Sequence, residues 1–181
     1  MKIPKNFKIP EYHEFYILND LIKVSITPLN STFAKEDFST IINNKKHLKG
    51  LFGELDDWWP SDSITEADNF KMLLWHEEEF KKRNSFAYII RLNGEYSGCL
   101  YFYGLDEVFK IVSIKDYNII YVFMWTTEEV FSKGFDKLIF DHLKKWISNT
   151  WDFTCADYPG RTSPLSSFCS ATASWIKTKK E

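Results

Sequence analysis

The sequence predicts an α/β sandwich, a mixed central sheet covered by helices. Three observations carry that fold class. Asn118-Ile-Ile-Tyr-Val-Phe-Met-Trp125 is a continuous apolar run rich in β-branched and aromatic residues, the composition of a strand covered on both faces. Behind it, Phe131, Phe135, Leu138, Ile139, His142, Leu143, Trp146 and Ile147 recur at helical spacing, with Lys133, Asp136, Lys137, Asp141, Lys144 and Lys145 on the other face. Thr126-Thr-Glu-Glu129 breaks the strand with capping-type and acidic residues that suit a helix start, and from Ser132 to Asn149 the helix extends roughly 27 Å at 1.5 Å per residue. Third, Phe86–Leu92 and Glu95–Tyr103 flank Asn93-Gly94, a pair that tolerates the positive φ angles of a two-residue type I′ turn, so two antiparallel strands meet there.

In chain order, Pro4 and Pro10 argue against regular structure, and residues 1–19 read as an irregular lead-in. Leu21–Thr27 alternates as a first strand, stopped by Pro28. A helix is expected from about Lys35 to Lys46, with Phe38, Ile41 and Ile42 as its apolar contacts. Gly50 and Gly53 open a loop, Glu54-Leu-Asp-Asp-Trp-Trp-Pro60, that combines three carboxylates with two tryptophans. Ser63-Ile-Thr-Glu66 is a capping box, and Thr65 with Asp68 offers a second register for the same helix start. Phe70, Leu73, Leu74 and Phe80 mark its buried stripe, followed by a charged end. After the hairpin, Ile111–Ile114 adds a short strand before the central one. Phe153–Cys155 reads as a last strand, Pro159-Gly160 as a turn, and residues 162–181 as a loop-rich tail.

One domain over 1–181 is the natural reading of 181 residues, a length that buries a sizeable core. A formal charge of -2 without a long basic run gives no electrostatic footprint for nucleic acid. Aromatic residues make up 18% of the chain, enough for a filled core or for an aromatic-lined pocket. Cys99, Cys155 and Cys169 are odd in number and widely spaced, which supports neither a disulfide framework nor a metal site. With no apolar leader and no run of membrane-spanning length, the expectation is a soluble, reduced, cytoplasmic protein without membrane attachment. A homodimer is compatible with all of this.

A strand feeding the N-terminus of an amphipathic helix leaves backbone N–H groups aimed beyond the strand end, which makes an anion site. The element order, the Asn-Gly hairpin and Gly98 in its second strand resemble the GCN5-related N-acetyltransferases (GNAT). The resemblance is strongest to a branch with a His-Leu-x-Gly-x-Phe-Gly segment, a Trp-Pro loop and a Trp-His-Glu helix. Here those are His47-Leu-Lys-Gly-Leu-Phe-Gly53, Trp59-Pro60 and Trp75-His76-Glu77. The branch's late Tyr-Pro-Gly-Arg corresponds to Tyr158–Arg161, and the likeness covers roughly residues 20–161.

The resemblance implies a GNAT-like sandwich with a mixed, mostly antiparallel sheet flanked by helices. It also implies acetyl-CoA as co-substrate and a small-molecule or peptide amine as acceptor. The family signature Gln/Arg-x-x-Gly-x-Gly/Ala falls on Phe131-Ser-Lys-Gly-Phe-Asp136, where Gly134 matches. The implied cofactor contacts are Phe123, Met124 and Trp125 on the strand, then Ser132, Lys133, Gly134 and Phe135 at the helix start. Asp136 sets a negative charge near the implied phosphates, with Lys133 nearby to offset it. Tyr158 is the expected acid, or a turn residue packed on Pro159. Glu54 or Asp57 is the expected base, walled by Trp58 or Trp59, or a solvated loop carboxylate. Arg161 is the expected cation for a substrate carboxylate or phosphate. His76 reads as a helix-surface or interface histidine. A second reading keeps the fold and drops catalysis, leaving a ligand-binding or regulatory protein.

Overall fold

The computed structural model describes residues 6–19, 21–49, 51, 59–104, 119–151 and 155–162. Their strands form one sheet in chain order, β1 (His13–Ile17), β2 (Ile22–Pro28), β3 (Phe86–Leu92), β4 (Glu95–Gly104), β5 (Ile119–Thr126) and β6 (Cys155–Asp157). Every neighbouring pair is antiparallel except β5 and β6, which run parallel. The mixed, mostly antiparallel sheet is the one the sequence predicts.

β1 corrects the irregular lead-in. Both prolines lie outside it, and His13-Glu-Phe-Tyr-Ile17 alternates, burying Phe15 and Ile17 while Glu14 and Tyr16 stay exposed. Two inward residues are too few to stand out in a sequence, and β2 supplies the pairing that fixes them. The hairpin falls where Asn93-Gly94 places it, with φ of 48° and 91° at those residues. In β4 the register slips opposite Ile90 and Arg91, and Gly98 sits at the slip. A Cβ on Gly98 would collide with the Trp125 carbonyl oxygen on β5, so only glycine admits so close an approach.

The helices depart from the sequence reading in detail. The expected 35–46 helix divides at Asn44 into α1 (Ala34–Asn43) and α2 (Lys45–Leu48), and its inner face is Ala34, Asp37 and Ile41, with Ile42 exposed. α3 (Glu66–Lys82) takes the second capping register, in which Thr65 and Asp68 bond reciprocally. Leu73 is buried as expected. Phe70 and Leu74 are exposed, and Asn69 and His76 take the inner positions instead.

The long helix is two helices, α4 (Glu128–Ser132) and α5 (Phe135–Thr150). Thr127 caps α4 through Val130 N–H, with Glu128 and Glu129 in its first turn, as the capping-type and acidic run Thr126–Glu129 suggests, and the Asn44 side chain accepts from Glu128 N–H. Gly134, at φ 75°, then breaks it. Phe153, the expected start of the last strand, and Ile111–Ile114 lie outside the described residues.

The sheet separates two cores. α5 lays Ile139, Leu143, Trp146 and Ile147 against Phe15, Val24, Ile26, Tyr88, Ile90, Val122 and Met124 on one face. On the other, α1, α2 and α3 cover Ile89, Tyr96, Cys99 and Trp125. This second core holds a buried polar cluster. Asp37, 1% exposed, accepts from Tyr96 Oη and, at 2.8 Å, from Asn69 Nδ2, while Tyr96 Oη lies 2.9 Å from Cys99 Sγ. Burial raises the Asp37 carboxyl above its ordinary range, and the three partners hold it back.

Candidate functional site

The site grows from the way β5 outruns β6. Regular pairing between them covers Ile119–Tyr121 against Cys155–Asp157, while β5 continues to Thr126. The chain then turns through Tyr158-Pro-Gly-Arg161, closed by Arg161 N–H on Tyr158 O at 3.0 Å with Gly160 at φ 77°. Pro followed by a positive-φ Gly is what a type II turn requires. The turn returns Arg161 to the strand end, where Nη2 donates to Met124 O at 3.2 Å. Successive residues of a strand alternate their hydrogen-bonding edge, so Met124 presents its backbone towards β6 and Phe123 and Trp125 turn theirs to β4. Of the three strand residues expected at the cofactor, Met124 alone has its main chain on that edge.

The same guanidinium holds Asp136 with two bonds, Nη1 to Oδ2 at 2.8 Å and Nη2 to Oδ1 at 2.9 Å, and Thr126 Oγ1 donates to Oδ1 at 2.9 Å. Asp136 is 6% exposed, and the Arg161 guanidinium lies 4.8 Å from the Phe140 ring centroid. The carboxylate in the signature therefore carries its own cation. Lys133, expected to offset it, instead pairs with Glu129 at 2.5 Å on the surface.

The N–H groups ahead of α5 are largely consumed. Phe131, Lys133 and Gly134 donate to Thr127, Glu129 and Phe131 carbonyls. Free donors belong to the first turn of α5, so Phe135 is the member of the expected set Ser132–Phe135 that lies there. Phe131 is 54% exposed, with the His47 ring 5.1 Å away. His47 Nε2 lies 3.2 Å from Thr126 O, which brings α2 to the end of β5. In the sequence His47 stands out only as the opening residue of the His-Leu-Lys-Gly-Leu-Phe-Gly segment, and that is the signal for a residue at the site. A groove of about 360 Å³ runs alongside, lined by Asn44, Ser97, Thr127, Glu129, Lys133 and Phe135 among others.

Tyr158 and Trp59 stand on opposite faces of the sheet. Tyr158 joins the α5 core, 4% exposed, edge-on to Phe140 at 5.4 Å, and burial pushes its phenol up to about 12. Trp59 joins the other core, 6.1 Å from Trp125. Near it, Tyr101 and Tyr103 stack on β4, and His76 packs 5.3 Å from Tyr101. His76 is thus a buried residue rather than a surface one, and burial lowers its imidazole to about 4, which keeps it neutral. Glu54, Asp57 and Trp58 lie outside the described residues. Among the described residues there is no cluster of three metal-binding side chains, and no helix is long and apolar enough to cross a membrane.

No family model and no curated protein matches the sequence. Solved structures match it in three dimensions. An acetyl transferase from Salmonella typhimurium that modifies the N-terminal serine of a 50S ribosomal subunit protein is similar at TM-score 0.53 and 14% identity, over 72% of this chain and 66% of that one. A microcin C7 self-immunity acetyltransferase, solved with acetyl-CoA and AMP, is similar at TM-score 0.57 and 13% identity, over 82% and 76%. The ribosomal-protein-S5-alanine acetyltransferase from Vibrio fischeri is similar at TM-score 0.56 and 16% identity, over 90% and 81%. The chain has the GNAT fold.

Proposed function

We propose that the chain is a single-domain, cytoplasmic N-acetyltransferase that moves an acetyl group from acetyl-CoA to a primary amine of a small molecule or peptide. The observation that carries this reading is the length of β5 that continues beyond its pairing with β6, with the Met124 edge beside the first turn of α5. An extended, amide-bearing arm adds to such an edge as a further strand would. The N–H groups opening a sixteen-residue helix suit a pyrophosphate, and Arg161 removes the charge with which Asp136 would repel it. The acceptors named for the similar ribosomal-protein enzymes support a peptide or protein amine.

Acetyl-CoA supplies the acyl group as a thioester. The chain's own residues position it and manage protons. Met124 lines the arm with main-chain groups. Tyr158, its phenol at about 12, serves as a hydrogen-bond donor to a leaving thiolate, since full transfer to a group whose ordinary value is about 8.5 runs uphill. A lysine-like amine, at about 10.4, must lose a proton before it attacks. His76, at about 4, is too weak a base for that. Glu54 and Asp57 keep the role, with His47 as the imidazole at the strand end and Trp58 walling the acceptor, whereas Trp59 is packed in the core across the sheet from Tyr158.

The exposed Phe131, where the signature has a polar side chain, favours a second reading in which the fold binds a ligand without turnover. Melting separates the two. Acetyl-CoA at 100 times Kd stabilises the native state by about 2.7 kcal/mol, a shift of roughly 5–10 °C for a domain of this length. That shift is expected up to millimolar acetyl-CoA and not with ATP. It should be followed by turnover of peptide amines. A flat melting temperature sinks the transferase, and a shift without turnover on any amine leaves the binder.

A further inference from the structure

Arg161 does two things at once, and they are unequal. Its paired bonds to Asp136 are 2.8 and 2.9 Å, charge-assisted at both ends and bound to a carboxylate that is 6% exposed. The bond to Met124 O is longer, 3.2 Å, and its acceptor is a neutral carbonyl. A bidentate guanidinium–carboxylate pair is the stronger and more geometrically fixed partnership. The guanidinium rests on the flat face of Phe140, and its side chain is 20% exposed, so a small rotation about the Asp136 pair frees Met124 without uncovering a charge.

Met124 O is the acceptor that an amide N–H would need in order to extend along β5. In the conformation described, that acceptor is already taken by the chain's own cation. Resting on the transferase reading above, we propose that Arg161 is a latch on the cofactor edge of β5. Its guanidinium caps Met124 O in the conformation described, yields that carbonyl to an amide of the pantetheine arm, and turns its released N–H to a phosphate oxygen of the same ligand.

The latch makes the two halves of the ligand depend on one another. An acyl-pantetheine without phosphates displaces the N–H from Met124 and offers it nothing in return, whereas the full coenzyme replaces a carbonyl bond with a charge-assisted phosphate bond. Arg161 thereby acts as a positioning residue that selects coenzyme A thioesters over shorter ones. A hydrogen bond to a charged partner is worth enough for that selection to be about ten- to a hundredfold.

The test compares acetyl-CoA with acetyl-pantetheine by calorimetry on the full chain and on the double variant Asp136→Asn, Arg161→Gln, which keeps amide–amide pairing and leaves no orphaned buried charge. The ratio of the two dissociation constants should fall by about tenfold or more in the variant, chiefly through tighter acetyl-pantetheine and weaker acetyl-CoA. A merely structural pair would move both affinities together and leave the ratio where it was, which overturns the latch while the transferase reading stands. Absence of binding by both proteins overturns latch and transferase together. Binding of acetyl-pantetheine by the variant alone supports the latch. Should the double variant not fold, Arg161→Lys keeps the charge and loses the fork that reaches Asp136 and Met124 together, and the same ratio should fall.

Discussion

At Asp136 a negative charge stands where phosphate is expected, and only its surroundings decide what that charge does. Arg161 is twenty-five positions away in sequence, and nothing in spacing pairs the two; the Pro159-Gly160 turn brings them together. Sequence could name both residues as relevant to a phosphate, one adverse and one favourable, and could not see that they cancel. His76 is a similar case. Its flanking Trp and Glu read as surface, yet α3 turns it inwards against Tyr101, and the neutral form is the one that folds. The unfolded imidazole titrates near 6.5 and the folded one at about 4, so the stability it confers is complete above 6.5 and is lost as pH falls between those values. The full loss is about 3 kcal/mol at 1.36 kcal/mol per unit. His13, also lowered to about 4, acts in the same direction, while Asp37, raised by burial, acts against them. In urea titrations from pH 7.5 to 4, His76→Gln should therefore flatten the slope without abolishing it; an unaltered slope would mean His76 is not buried neutral.

Among the elements, what sequence resolves well is whatever a short window contains. The β3–β4 hairpin is specified by two residues between two apolar runs, and β5 by its unbroken apolar character. Boundaries set by distant partners were hidden. β1 depends on β2 for its register, and the Asn44 side chain, from the join of α1 and α2, fastens the start of α4 by accepting from Glu128 N–H. The join between α4 and α5 carries its own expectation. Gly134 has φ 75° and open space where a side chain would go, so Gly134→Ala meets no steric obstacle and costs only the left-handed backbone, about 1–2 kcal/mol. Denaturation should read that loss with an unchanged m-value. A neutral or stabilising substitution would show that α4 and α5 merge into the single helix that periodicity describes.

For the molecule as a whole, the order of elements was legible and the partition of the interior was not. Apolar residues of β3 and β5 read as buried, but which of them face α5 and which face α1 and α3 depends on the bulge at Gly98 and on the pairing across it. The candidate site inherits that division, because Tyr158 and Trp59 were expected to serve one reaction centre and the sheet puts them on different faces. The second core has a consequence for chemistry in solution. Cys99 is fully enclosed beside Asp37 and Tyr96, its thiol raised well above the ordinary range, while Cys155 is exposed. A thiolate-seeking reagent should label Cys155 at once. It should reach Cys99 at least about a thousandfold more slowly, as expected for a fold held by roughly 5 kcal/mol or more. Cys99 is thus a sentinel on the seam between α1 and β4. Its alkylation rate, followed by mass spectrometry with and without acetyl-CoA, would report how often that half of the protein breathes and whether a ligand on the neighbouring strand β5 quiets it.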